Sequence, residues 1–208
     1  MPADPGRGEQ LVTHTPGAVD PRIRIVDDDG RPALMVDGVI LSVSAAGPDP
    51  PSGYWAAMMP EGSPRSALLL GLGGGTLAHL LARGHPNIDM VGVDADAELI
   101  RFAVAHFGLS LPNLEIVVGD AFEYVERCDR HFGFVAVDLF RGYDFQQGAT
   151  ARPFLRRLKT MVGHGGEVAF NIFRDRRTEQ RITRIARVLR PYRTDRVQRN
   201  VILHCKGG

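Results

Sequence analysis

Three carboxylates and a cluster of glycines have the types and spacing to do chemistry together. Gly71, Gly73 and Gly75 form G-x-G-x-G inside LLLGLGGGTLAHLL, residues 68–81. Glycine loses more conformational freedom on ordering than any other residue, so such a cluster lets the backbone run against something that a side chain would push away. Asp94 follows about 20 residues later, where a strand-end carboxylate can accept hydrogen bonds from both hydroxyls of a ribose. Asp120, in VVGDA, can accept a hydrogen bond from an adenine amino group, and Asp138, in FVAVDLF, points into the same crevice. No Walker lysine accompanies the glycines, which argues against a nucleoside triphosphate. Three strand-end acids sharing one rim with a glycine turn indicate an adenosyl-type ligand.

The glycines, Asp120 and Asp138 also have a purely structural reading, which for Asp138 is a cap on the loop that follows its strand. A glycine turn serves strand–helix packing as well as ligands. Asp120 with Glu123 has the form of a capping box, and both roles are compatible. Asp96, ahead of AELI, is expected only to cap a helix.

The elements that must position these groups follow from periodicity. Residues 22–44, RIRIVDDDGRPALMVDGVILSVS, contain short β-prone runs broken by Asp29-Gly30 and Asp37-Gly38, both strong hairpin signals. They predict a small antiparallel meander. A Pro/Gly-rich connector, AAGPDPPSG, leads to a short helical segment at Tyr54 that ends by Pro60. Beyond it, strand and helix patterns alternate: 67–72 then 76–83, 88–93 then 97–107, 114–118 then 121–127, 134–139 then 152–162, and 167–173 then 178–189. Buried strands joined by helices of this length imply right-handed crossovers, hence a doubly wound α/β domain with a mostly parallel sheet. The two β-prone runs in 192–206 lie too close together for a helical crossover, so the last pair is expected to be an antiparallel hairpin, giving seven strands in all. The chain divides into a disordered leader (1–20), the meander with its connector (21–60) and the α/β domain (61–208).

Composition narrows the class. At 208 residues, 44% apolar and 24% charged, the chain can bury one good core and carry a small appendage. Lys+Arg 25 against Asp+Glu 24 gives a net charge of +1, so no overall field directs it to nucleic acid or to an anionic membrane. No apolar run approaches the ~20 residues of a membrane span, and residues 1–20 lack the order of a signal peptide, so no membrane association and a cytoplasmic location are expected. Cys128 and Cys205 are too few and too far apart for a disulfide framework or a zinc site, and the seven histidines form no HxxxH pair, so no metal is expected. One local feature runs against the neutral balance. Arg181, Arg184, Arg187 and Arg190 recur every third residue beside the apolar stripe of Ile182, Ile185, Val188 and Leu189. That pattern predicts a helix with an arginine-rich outer side, which is either a solvated face or a contact for nucleic acid or another acidic partner.

LMVDGVI in the meander, Tyr54 after it, GGTL, GDAF and VAVDLF occur in the order and spacing of the spermidine-synthase-like family of aminopropyltransferases, and the chain resembles that family over residues 22–206. Seven strands with a reversed ending likewise match the sheet of the S-adenosylmethionine (AdoMet)-dependent transferases better than the all-parallel dinucleotide fold. The resemblance implies an AdoMet-methyltransferase fold and, in the authentic synthases, transfer of an aminopropyl group from decarboxylated AdoMet to an amine. By position it assigns Gly71, Gly73, Gly75, Asp94, Asp120 and Ala121 to the nucleoside. Asp138, with Tyr54, becomes the catalytic group that orients and deprotonates the acceptor, since an amine must lose a proton to attack the carbon beside a sulfonium. It also implies a homodimer.

The departures are as informative as the matches. Authentic synthases resemble one another in a glutamine and acidic residues at four places that read Leu41, Ala56, Gly73 and Arg141 here. Most of those groups hold a cationic amine through charge-assisted hydrogen bonds worth about 1.5–3 kcal/mol each. Their loss, with Arg141 added, predicts poor use of polyamines and a neutral or anionic small-molecule acceptor instead. Gly73 in place of an acid favours AdoMet over its decarboxylated form, because a carboxylate suits bare N–H groups at a helix N-terminus. Three readings stay open: a small-molecule transferase, moving either an aminopropyl or a methyl group; a methyltransferase acting on RNA or protein; and a non-catalytic AdoMet-binding module. Tyr54, Trp55 and Tyr143 are candidates for an aromatic lid.

Overall fold

The computed structural model describes residues 20–207, so the leader expected over 1–20 lies, Asp20 apart, outside the described residues. The meander comprises β1 (Ile23–Asp28), β2 (Arg31–Val36) and β3 (Val39–Val43), paired antiparallel in that order. Asp29 and Gly30 (φ 52° and 81°) make its first turn, and Asp37 and Gly38 (φ 50° and 79°) its second. Two successive left-handed residues match the twist of the flanking strands, and Asp-Gly supplies them at little cost.

One turn of helix, α1 (Tyr54–Ala57), precedes the main alternation. This runs β4 (Ser66–Leu70), α2 (Thr76–Gly84), β5 (Asp89–Asp94), α3 (Ala97–His106), β6 (Leu114–Val118), α4 (Ala121–Arg127), β7 (Phe134–Val137), β8 (Phe140–Arg141), β9 (Asp144–Phe145), α5 (Arg152–Val162), β10 (Glu167–Phe173), α6 (Thr178–Ala186), β11 (Arg190–Val197) and β12 (Asn200–Lys206). The seven-stranded sheet has the order β11-β12-β10-β7-β4-β5-β6. Only β12 is reversed, lying antiparallel to both β10 and β11, as the short connection predicts. The chain steps outward from β4 to β5 and β6, then returns to place β7 on the other side of β4. That reversal opens a crevice beyond the carboxyl ends of β4 and β7, the place where open α/β sheets bind ligands.

Alternation along the central strands loads both faces. Leu68, Leu70, Val91, Val93, Val135 and Val137 join the core beneath α4, α5 and α6. Ala67, Leu69, Met90, Phe134 and Ala136 join the other, with residues of α2 and α3 and with Ile23, Leu34 and Val36 of the meander. The appendage is thus an extension of one core face. Side chains fasten it too: the Val43 amide donates to Thr76 Oγ1 at 2.9 Å, Thr76 Oγ1 donates to the Val43 carbonyl at 2.8 Å, and the Gly74 amide donates to Ser42 Oγ at 2.8 Å.

Two local expectations need correction. The apolar runs suggest strands reaching Leu72 and Leu139, but these stop at Leu70 and Val137, where a left-handed Gly71 (φ 87°) turns the chain out of β4. The helix expected to Leu189 ends at Ala186, and the Val188 amide turns back onto the Ile185 carbonyl at 3.0 Å. The small β8–β9 hairpin, turned by Gly142 (φ 58°), carries no period long enough to read from sequence.

Candidate active site

A cavity of about 700 Å³ lies over the carboxyl ends of β4, β5 and β7, between the β2–β3 hairpin, α1 and the β8–β9 hairpin. Gly71, Gly73, Asp94, Asp120, Ala121, Asp138 and Tyr54 all line it. Gly75 stands outside that lining. It precedes α2 with φ 86°, and a Cβ there would lie 2.3 Å from Leu109 Cδ1, so its smallness makes room for the loop after α3.

The neighbouring glycines are crowded by protein as well. A Cβ on Gly71 would stand 2.1 Å from the Asp138 carbonyl oxygen, one on Gly74 would stand 2.8 Å from Leu34 Cδ2, and one on Gly73 would stand 3.2 Å from Ser42 Oγ. The turn is therefore a junction at which β7, the meander and the α3–β6 loop converge. Only Gly71 and Gly73 of the three motif glycines also face the cavity. Both sequence readings of the glycines, packing and cavity wall, have a physical basis here.

The acids differ in how they are held. Asp94 accepts from the Gly73 amide at 2.8 Å through Oδ2 and from the Asp96 amide at 3.0 Å through Oδ1, tying the glycine turn to the next strand end. Burial raises its pKa above the ordinary carboxylate range, and these amide bonds offset part of the rise. Asp120 caps α4, accepting from Phe122 N at 2.7 Å and Glu123 N at 3.1 Å through one oxygen. Among the described residues its other oxygen accepts no hydrogen bond, and Asp120 both caps the helix and lines the cavity. Asp96 caps α3 through the amides of Glu98 and Leu99, as its sequence context predicts.

Asp138 is the most perturbed of the three. It opens onto the cavity but is surrounded by protein, and burial pushes its pKa up to about 6 against the stabilising hydrogen bonds of Asn171 and Tyr54, with the Asp94 charge adding to the rise. Asn171 Nδ2 donates to Asp138 Oδ1 at 2.7 Å, and Asn200 Nδ2 donates to Asn171 Oδ1 at 2.7 Å. Burial and the Asp138 charge hold the Tyr54 phenol well above its ordinary pKa, so it stays protonated beside the carboxylate. Trp55 packs its ring at a tilt against Tyr54, with centroids 4.2 Å apart. Asn171 and Asn200 escape motif reading. The available signal was Asn171 as the lone uncharged polar residue in the apolar run of β10, since a buried amide needs partners.

The departures fall as follows. Leu41, Gly73 and Arg141 line the cavity, whereas Ala56 is exposed and outside it. The arginine face is smaller than its spacing predicts. Arg181 is buried, only 3% exposed, clamped by Asp175 at 2.8 and 2.9 Å and lying over the Phe145 ring. A guanidinium with a paired carboxylate and an aromatic surface can leave solvent, and this one does. Arg184, Arg187 and Arg190 stay exposed.

The strand order, the single reversed strand, and a glycine turn and acids at the switch point define the fold of the class I AdoMet-dependent methyltransferases. A spermidine synthase from Thermotoga maritima has this fold with a TM-score of 0.69 at 15% identity, over 92% of this chain and 72% of that one. Human Methyltransferase-like protein 13 in complex with SAH has it with a TM-score of 0.63 at 19% identity, over 69% and 72%. A curated polyamine aminopropyltransferase from Vibrio vulnificus (strain CMCP6) is 27% identical over 122 residues, 57% of this chain and 41% of that protein. The chain thus matches less than half the length of that relative. No family model matches the chain. The sequence resemblance to the spermidine-synthase-like family is found again among both curated relatives and solved structures.

Proposed function

We propose that this chain is a spermidine-synthase-like group transferase that binds AdoMet, or its decarboxylated form, and alkylates a small-molecule acceptor other than a polyamine. The observation that carries this reading is Asp138, held by Asn171 in the same cavity as Tyr54, Gly71, Gly73, Asp94 and Asp120. The residues fit the donor. The Asp94 carboxylate keeps lone pairs beyond its two amide bonds for ribose hydroxyls, Asp120 keeps a free oxygen for the adenine amino group, and about 700 Å³ suits a nucleoside with an acceptor beside it.

When bound, such a donor supplies an electrophilic carbon on a sulfonium, which takes the acceptor's lone pair as the carbon–sulfur bond breaks and its electrons stay on sulfur. The chain does the rest. Asp138, ionised above about pH 6, takes the acceptor's proton, and Asn171 orients it through Oδ1. Gly73, where the resemblance expects an acid, leaves no carboxylate for the ammonium of a decarboxylated donor, so AdoMet and methyl transfer are favoured. Leu41 and Arg141 support rejection of polyamines. The reading includes a homodimer, by resemblance, which light scattering tests. No helix among the described residues is long and apolar enough to cross a membrane.

Isothermal titration with AdoMet and decarboxylated AdoMet tests the proposal. AdoMet is expected to bind more tightly. Binding of neither overturns the reading, and efficient spermidine formation by the purified protein overturns the acceptor assignment. Binding with no turnover of any acceptor, and no effect of Asp138→Asn, selects the non-catalytic module.

A further inference from the structure

The acceptor end of the cavity has a wall chemistry of its own. Tyr54 and Trp55 stand on one side, and Phe140, Tyr143 and Phe173 line it from the β8–β9 hairpin and the end of β10. Phe140 meets Phe173 edge-on at 6.3 Å, and Tyr143 lies 6.2 Å from the same ring. Tyr54, Trp55, Phe140 and Phe173 are half-buried and Tyr143 is 58% exposed, and the Arg199 guanidinium lies 4.8 Å from the centre of the Phe173 ring. The aromatic surface that stays open to the cavity leaves water when a flat apolar group covers it. Among the described residues Arg141 makes no ion pair, and it lines the same end. Asp144, its cross-strand neighbour, lies outside the lining and is not paired with it. The carboxylate at this end is Asp138, already accepting from Asn171.

We propose that the acceptor is an aromatic acid bearing a hydroxyl: its ring lies among Trp55, Phe140, Tyr143 and Phe173, its carboxylate pairs with Arg141, and its hydroxyl faces Asp138. Each part has a counterpart. The guanidinium supplies a forked cationic donor that matches a carboxylate. A phenol holds its proton up to about pH 10 and needs a base to become a nucleophile, which is what Asp138 provides. A polyamine finds one carboxylate and one repelling guanidinium, and the rings offer its ammonium groups only cation–π contact in place of the lost carboxylates. This assignment deepens the transferase reading and rests on it for the identity of the co-substrate.

Trp55 is the only tryptophan in the chain, so its fluorescence, excited at 295 nm, reports occupancy of this end of the cavity directly. The probes are 4-hydroxybenzoate, 4-hydroxyphenylacetate and 3-(4-hydroxyphenyl)propanoate, which span a range of hydroxyl-to-carboxylate distances. Cyclohexanecarboxylate and putrescine are the controls. Each is titrated with and without S-adenosylhomocysteine. At least one hydroxyaryl acid is expected to give a saturable change at a concentration at least about tenfold below either control. Arg141→Gln should weaken it about tenfold or more, the loss of one charge-assisted pair, while S-adenosylhomocysteine binding stays unchanged. Arg141 is exposed, so the variant keeps its fold. Equal or tighter binding of either control, or no effect of Arg141→Gln, overturns the assignment. Binding of S-adenosylhomocysteine with no aryl acid bound defeats this inference alone, whereas aryl-acid binding without the nucleoside defeats the donor reading and leaves the acceptor site standing.

Discussion

Asn171 donates its side-chain amide to Asp138 at 2.7 Å from the adjacent strand, and Asn200 braces Asn171 at the same distance from the next. The relay crosses β7, β10 and β12 in sheet order, so three strands fix the orientation of one carboxylate. It occupies Oδ1 of Asp138 and leaves Oδ2 outside the relay. Such bracing holds a buried carboxylate in place without charge, and its consequences can be measured.

The first concerns pH. Because burial lifts the Asp138 pKa to about 6, donor-dependent turnover is expected to rise with pH and level off above it, as the carboxylate loses its proton. Asn171 stabilises the ionised form, so Asn171→Leu moves the midpoint upward. A pH–rate profile with an unchanged midpoint removes Asn171 from this role. Asp138→Asn should cost about a hundredfold or more in rate.

The second follows from linkage. A carboxyl whose pKa is higher in the folded state than in the unfolded chain favours folding when protonated, so its contribution is present below about pH 4 and is lost as pH rises through about 6. Asp138→Asn is therefore expected to stabilise the protein at pH 8 by about 1–2 kcal/mol, a figure reduced for screening by water in the cavity. Urea denaturation at pH 8 and at pH 4 checks this, the gain vanishing at the lower pH.

A third concerns how α1 is anchored. Arg193 Nη2 donates to the Ala57 carbonyl at 2.9 Å, and His204 Nε2, fully buried, lies 2.8 Å from the same oxygen. Nearby, Glu167 accepts from the amides of Glu61 and Gly62, from Tyr192 and from Lys206. β10, β11 and β12 thus grip the segment that carries Tyr54 and Trp55. Arg193→Ala should destabilise the fold by about 1–3 kcal/mol and shift Trp55 emission, since it strips a charged donor from a half-buried carbonyl. Unchanged emission would show that α1 is placed by other contacts.

A fourth separates crowding from backbone conformation. Gly71 and Gly142 both have positive φ, 87° and 58°, but an added Cβ meets the Asp138 carbonyl oxygen at 2.1 Å in the first and nothing within 4 Å in the second. Gly142→Ala should cost about 1 kcal/mol, the left-handed penalty alone. Gly71→Ala should cost well beyond that and abolish ligand binding. Thermal unfolding of the pair distinguishes the two effects.

The arginine pattern shows where reading by spacing misleads. Arg181, Arg184 and Arg187 have the same period, but periodicity describes which face a residue shares and is blind to a partner six residues back. Asp175 takes Arg181 out of that face, and the Phe145 ring covers it. Gly75 fails in the same manner: it belongs to the glycine motif by spacing but serves Leu109, which lies more than thirty residues on. Asn171 and Asn200 carried no motif, because their significance depends on which strands become neighbours.

By itself the sequence determined the succession of elements, the two Asp-Gly hairpins, the caps at Asp96 and Asp120, the reversed last strand and the strand-end positions of Asp94 and Asp138. These depend on local conformational preference and on apolar period, which act over a few residues and are written along the chain. Only the tertiary structure decided that β7 returns beside β4, that the meander closes on the glycine turn, and that Asp138 meets Tyr54, Asn171 and Asn200. Those contacts join residues that are distant along the chain, and their energy comes from burying surfaces together and leaving polar groups partnered, which no single segment specifies.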